Sequence, residues 1–174
     1  MKKGVLFIFS GLPGSGKSTM AAKLASSLSA IYLRIDTVEQ GLRDICGISQ
    51  IDGKGYRLSY RIAQENLQIG NLVIADSVNP EHFTRREWNA VASDIGANFL
   101  NIEVFCSDKN EHKYRVENRG PSIIGAKPPT WNDVSNRTYH AWTEDRITLD
   151  TAGKDPEQSY KELLAAIKLR LDSI

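Results

Sequence analysis

Lys17 stands in the run Ser10-Gly-Leu-Pro-Gly-Ser-Gly-Lys-Ser-Thr19, in which Gly11, Gly16, Lys17 and Ser18 fill every fixed position of G-x-x-x-x-G-K-[ST]. Each residue type has a chemical reason. Glycines let the backbone fold into a nest whose N–H groups face phosphate oxygens. A helix starting at the end of the nest adds a positive partial charge of about half an elementary unit. The spacing therefore predicts a nucleotide-phosphate cradle built from Gly11, Leu12, Pro13, Gly14, Ser15, Gly16, Lys17, Ser18 and Thr19. In that cradle Lys17 bridges the β- and γ-phosphates and Ser18 ligates Mg²⁺.

Six other residues carry candidate chemistry. Asp76 ends the run Leu-Val-Ile-Ala-Asp, the position of a metal-holding carboxylate, with a loop or capping aspartate as the alternative. Asp36 closes Ala30–Ile35, one strand over from the phosphate loop. There it can take the proton of an acceptor hydroxyl, or cap a helix beginning at Thr37. Arg115 and Arg119 are one helical turn apart and repel unless an anion joins them, although Glu111 is spaced to pair with Arg115. The Gly120–Pro129 stretch that follows, with two glycines and three prolines, makes residues 108–129 a candidate lid over phosphates. Arg43 could reach toward an anionic acceptor or lie solvated on its helix, and Asn79 reads as a helix cap or a ligand.

Hydrolysis, switching and transfer are separated by what else is present. The chain has no N-K-x-D, and the D-x-x-G at Asp150–Gly153 follows the last strand, too late for a γ-phosphate switch. This disfavours a GTPase and leaves Gly153 on a loop bordering adenine. Transfer needs an acceptor base and cations, which Asp36, Arg115 and Arg119 supply. A nucleotide-gated regulatory module is the reading from another class, and it has no use for an acceptor base at Asp36.

The elements that must position these residues follow from periodicity. Val5–Phe9 is a continuous apolar run, as in a parallel strand covered on both faces. Ala30–Ile35, Leu72–Ala75, Phe99–Phe105 and Ile147–Leu149 supply four more strands. Helices are predicted after the phosphate loop (Met20, Leu24 and Leu28 inward), at Tyr56–Ile69 closed by Gly70, after Asn79-Pro80 with Phe83, Val91, Ala92 and Ile95 inward, and at Asp108–Arg119. Trp131–Trp142 and a final helix capped by Asp155 complete the set. Strands alternating with helices predict a three-layer α/β P-loop fold with a five-stranded parallel sheet, in one domain of 174 residues.

Composition sets outer limits. A net charge of +1 gives no electrostatic footprint for a long nucleic-acid groove. The two cysteines, Cys46 and Cys106, form no C-x-x-C, and the apolar run after Met1-Lys2-Lys3 is too short for a signal peptide or membrane span. A cytoplasmic protein fits best, and no sequence signal fixes its oligomeric state.

With these residues in hand, the chain resembles the small P-loop kinases of the AAA_33 group, polynucleotide-kinase-like and chloramphenicol-phosphotransferase-like. The likeness rests on GLPGSGKST, Asp36, ADSVNP followed by Arg85 and Arg86, the R-x-x-x-R helix and PTWNDV, over about residues 4–170. It implies an ATP- and Mg²⁺-dependent kinase acting on a small-molecule hydroxyl, with a nucleoside or polynucleotide 5′-hydroxyl as the alternative acceptor. By resemblance Asp36 maps to the acceptor-activating aspartate, Arg115 and Arg119 to lid arginines, and Asp150–Gly153 to the adenine side. After the second strand the chain reads RIDTVEQGLR, without the D-G-D-N-x-R of adenylylsulfate kinases. Gluconate-kinase-like substrate motifs are absent as well.

Overall fold

In the strand Val5–Ser10 (β1), alternate side chains enter opposite layers: Phe7 and Phe9 on one face, Leu6 and Ile8 on the other. All four are buried, which is why the run is apolar throughout rather than alternating. A computed structural model describes residues 3–172. In chain order after β1 come α1 (Lys17–Leu28), β2 (Ile31–Arg34), α2 (Ile35–Asp44), α3 (Lys54–Gln68), β3 (Val73–Asp76) and α4 (His82–Ser93). They are followed by β4 (Asn98–Phe105), α5 (Lys109–Asn118), α6 (Trp131–Ser135), β5 (Ile147–Asp150) and α7 (Pro156–Leu171).

The five strands pair in the order β2-β3-β1-β4-β5, all parallel. One apolar layer joins Phe7, Phe9 and Ile102 to Met20 and Leu24 of α1 and to Leu163 and Ile167 of α7. The other joins Leu6, Ile8 and Val73 to Ala63 and Leu67 of α3 and to Trp88 and Val91 of α4. Each large apolar side chain fully removed from water contributes about 1.5–3 kcal/mol, so the sheet that carries the site is rigid. This is the three-layer α/β fold with the five-stranded parallel sheet that the alternating pattern predicts. Among the described residues no helix is long and apolar enough to cross a membrane.

Several boundaries differ from the sequence reading. The second strand is shorter than Ala30–Ile35, and α2 begins at Ile35 with Arg34 as its N-cap. Asp36 thus lies in the first turn and caps nothing, contrary to the capping alternative. α4 begins after Glu81, so Asn79 is not its cap, and Phe83 is 62% exposed rather than inward. The helix expected over Trp131–Trp142 ends at Ser135. The carbonyls of His140 and Ala141 accept hydrogen bonds from Arg85, and the His140 N–H donates to Pro80. Residues 140 and 141 are therefore drawn out of a helical ladder by a buried guanidinium. Trp142 stacks on it, with the guanidinium carbon 4.1 Å from the ring centre.

Candidate active site

The chain leaves β1 at Ser10, turns through residues 11–16, and enters α1 at Lys17. Two glycines there are sterically required. Gly11 has φ +148°, and a Cβ on it would lie 2.1 Å from the Val104 carbonyl oxygen. Gly14, at φ +85°, would place a Cβ 2.5 Å from Val116. Helix α5 therefore packs directly against the loop at Gly14. Its buried His112 donates from Nε2 to the Pro13 carbonyl at 2.8 Å.

The loop is fixed from its other side by the segment leaving β3. Asn79, fully buried with φ +46°, donates from Nδ2 to Ser10 Oγ at 2.8 Å and to the Phe9 carbonyl at 3.3 Å. Its Oδ1 accepts from Ser77, and its own carbonyl accepts from Arg85 Nε at 3.0 Å. The Gly11 N–H donates to the Val78 carbonyl. A residue that reads as a helix cap in sequence is thus the strut between two strand ends and the phosphate loop.

Parallel pairing sets Asp76 opposite Phe9 on one side and Arg34 on the other, at the carboxyl ends of three adjacent strands. Ligands of open α/β sheets bind at such an edge. Asp76 is buried, and one oxygen accepts from the Lys17 ammonium while the other accepts from Tyr32 Oη at 2.7 Å. Burial alone would raise the Asp76 carboxyl, but the Lys17 charge and hydrogen bonds from Lys17, Tyr32 and Ser18 hold it below the usual range. The same arrangement, with burial leading, pushes the Tyr32 phenol well above its ordinary value. Tyr32 was not singled out in the sequence; an isolated tyrosine in an apolar strand gives no signal of such a contact.

A cleft of about 1050 Å³ opens above these residues. Leu12, Pro13, Gly14, Gly16, Lys17, Ser18 and Thr19 form one wall; Gly11 and Ser15 are buried behind it. Tyr32, Arg34, Asp36 and Glu39 line the same cleft, as do residues 119–123. The Asp36 carboxyl lies exposed within it. Burial, with Asp36 nearby, raises Glu39 above the ordinary glutamate value.

Arg115 and Arg119 part company. Arg115 Nη2 pairs with Glu111 at 2.6 Å, and its guanidinium also donates to the Thr151 hydroxyl at 2.7 Å and carbonyl at 2.9 Å. Thr151 in turn donates to the Ser15 carbonyl at 2.9 Å. Arg115 thus ties the Asp150–Gly153 loop to α5 and to the phosphate loop. In that loop Gly153 has φ +66° and its N–H donates to Glu111 Oε2. Arg119 is the residue on which α5 ends, and its Nε is buried without a hydrogen-bond partner. Burial lowers its pKa, and Arg34 lowers it further against the pull of Asp36.

The donor set near Lys17 suits Mg²⁺. One carboxylate, Asp76, and one hydroxyl, Ser18, stand together at the helix start, and Mg²⁺ takes its other ligands from water and phosphates. Among the described residues no group of three or more His, Cys, Asp or Glu side chains forms a closed metal site.

The chain is similar to known proteins in sequence and in fold. A family model described as an AAA domain matches residues 6–139. Adenylyl-sulfate kinase of Staphylococcus epidermidis is 26% identical over 172 residues, spanning 95% of this chain and 85% of that enzyme. The structure of a Mycobacterium tuberculosis APS kinase in complex with AMPPNP and APS superposes with a TM-score of 0.72 at 21% identity, over 97% of this chain and 99% of that one. A putative kinase from Chloroflexus aurantiacus gives a TM-score of 0.73 at 19% identity, over 99% and 98% of the two chains.

Proposed function

This chain belongs to the AAA_33 family of AAA domains, and we propose that it is an ATP-dependent kinase that transfers the γ-phosphoryl group to a hydroxyl of a small molecule. The observation that carries the reading is that a phosphate loop and an exposed carboxylate line one cleft: Lys17 with its loop, and Asp36. A nucleotide-gated switch has a use for the first and none for the second.

On this reading the loop amides and the α1 N-terminus hold the β- and γ-phosphates, and Lys17 exchanges Asp76 for phosphate oxygens. Ser18 and Asp76 would hold Mg²⁺, which supplies charge neutralisation on the phosphates when bound. The acceptor oxygen attacks the γ-phosphorus in line, its proton passes to the Asp36 carboxylate, and the bond to the ADP oxygen breaks. No covalent enzyme intermediate is needed. Arg119, at the end of α5, adds its positive charge to the cleft in which the transfer takes place, while Arg115 holds the adenine-side loop containing Gly153. The acceptor of the adenylyl-sulfate kinases is not transferred to this chain, because RIDTVEQGLR stands where their D-G-D-N-x-R is expected. We place the enzyme in the cytoplasm, where its nucleotide donor is abundant.

The test is ADP release from Mg-ATP across a panel of hydroxyl compounds: sugars, sugar phosphates, nucleosides and oligonucleotides. A kinase releases ADP in proportion to one acceptor class and converts that acceptor to a phosphate ester. Slow ADP release indifferent to every acceptor contradicts the reading.

A further inference from the structure

Most cations lining the cleft have a carboxylate of their own. Lys17 has Asp76, Arg43 lies 3.8 Å from Glu39, Arg115 has Glu111, and Lys154 has Glu162 at 2.6 Å. Lys127 and Arg137, also at the cleft, share the field of Asp133. Arg34 and Arg119 differ from these in keeping a buried Nε–H without an acceptor. Arg34 Nη2 donates to Ser122 at 2.9 Å, while its buried Nε makes no hydrogen bond. That nitrogen lies 3.8 Å from an Asp76 oxygen already engaged by Tyr32. Arg119 Nε is likewise buried without a partner. The two guanidinium groups line the same cleft and feel each other's charge, and Arg119 also lies within electrostatic reach of Asp36.

A buried N–H on a charged group, left without an acceptor, costs more than a neutral one. Two such groups side by side add like-charge repulsion. A single carboxylate at Asp36 cannot neutralise both and also accept a proton from the acceptor. An oxyanion answers all three conditions: it offers acceptors to both Nε–H groups, cancels the repulsion, and leaves Asp36 free.

We propose that the acceptor carries an oxyanion, a phosphate or sulfate group, that binds between Arg34 and Arg119 and presents the acceptor hydroxyl to Asp36. This rests on the kinase reading for the role of Asp36, but the anion subsite is measurable without turnover. Arg34 ends β2 with its Nε 3.8 Å from Asp76, so only an anion that binds with the nucleotide already in place belongs to the acceptor. The acceptor is then already a phosphate or sulfate ester when it reaches this enzyme, and a reaction that esterifies an alcohol must precede it.

The experiment saturates the protein with Mg-AMPPNP, which fills the phosphate loop, and titrates inorganic sulfate and then inorganic phosphate by calorimetry at constant ionic strength. The expected result is saturable binding of both anions on top of the analogue, weakened at least tenfold in Arg34→Gln and in Arg119→Gln. Analogue affinity of Arg34→Gln should stay within twofold of wild type, which also reports that the site is folded. Arg34→Lys, which keeps the charge and loses the Nε donor, should fall between. Anion binding that disappears once AMPPNP is bound, or that survives both glutamine substitutions, overturns the proposal. Alcohols compared as free compound, phosphate ester and sulfate ester then separate the two sources: ADP release should follow one ester and not the free alcohol. ADP release from free alcohols at equal efficiency also overturns the proposal, while leaving the kinase reading intact.

Discussion

The ammonium of Lys17 is bonded to the carboxylate of Asp76, across the gap between the start of α1 and the end of β3, and both side chains are buried. The phosphate-loop lysine is therefore neutralised before any nucleotide arrives. On the proposed reading, nucleotide replaces that carboxylate with phosphate and releases Asp76 toward the cation that accompanies ATP.

Breaking this pair from one side has a predictable cost. Asp76→Ala leaves a buried ammonium, and loss of one partner of a buried pair destabilises by about 3–5 kcal/mol. Urea unfolding at neutral pH without ligand should show the loss, and Mg-free ATP, which supplies new anionic partners to Lys17, should recover part of it. The pH dependence has a fixed sign. Because the folded-state pKa of Asp76 lies below the ordinary 3.8, its stabilisation is full above that value and fades as pH falls through the depressed one. The gap between wild type and Asp76→Ala should therefore close in acid.

Glu39 behaves in the opposite sense. Its folded-state pKa is raised above the ordinary 4.5, first by burial and then by Asp36, against the pull of Arg43. The protonated form is favoured on folding, so this contribution is fully present below 4.5 and is lost as pH rises through the raised value. Glu39→Gln should stabilise the protein at neutral pH and do so less at pH 4. Thermal unfolding of the two proteins across that range checks the sign; a larger gain at pH 4 contradicts it.

Asn79→Ala removes the amide that joins Ser10, Phe9 and Ser77 and leaves an alanine at φ +46°. Each buried hydrogen-bond partner left unsatisfied costs about 1–3 kcal/mol. The strut holds the entry to the phosphate loop, so nucleotide affinity should fall together with stability. Asn79→Gly relieves the backbone conformation and restores no hydrogen bond, so it should recover a fraction of the stability and little of the nucleotide affinity. Calorimetric titration with ATP, beside urea unfolding, separates the two.

Features governed by local rules were legible in the sequence. The phosphate loop, the strand ending at Asp76, and Asp155 capping α7 all follow from residue type and spacing, and the structure has them in place. The structure adds Gln158 as the reciprocal partner of Asp155, and makes Asp108 the cap of α5 rather than its first residue. What escaped depends on residues far apart in the chain. Tyr32 meets Asp76 only because β2 and β3 are neighbours, and Asn79 meets Ser10 only because β3 and β1 are. The helix expected through Trp142 fails because Arg85 claims the carbonyls of residues 140 and 141, a competition that periodicity within that segment does not record. The arginines of α5 show the same limit: Arg115 and Arg119 are alike in sequence, but one is pinned to Thr151 and the other, at the helix end, keeps a buried Nε without a hydrogen bond.

The central claim is that Asp36 is an acceptor base in a transfer site, and Asp36→Asn tests it most directly. Its carboxylate is exposed in the cleft and caps no helix, so the substitution leaves the fold and the phosphate loop unchanged. With an acceptor identified from the panel, acceptor-dependent ADP release should fall by about a hundredfold or more, the usual scale of general-base catalysis, while Mg-ATP affinity stays near wild type. A variant that releases ADP as fast as wild type with that acceptor would contradict the account.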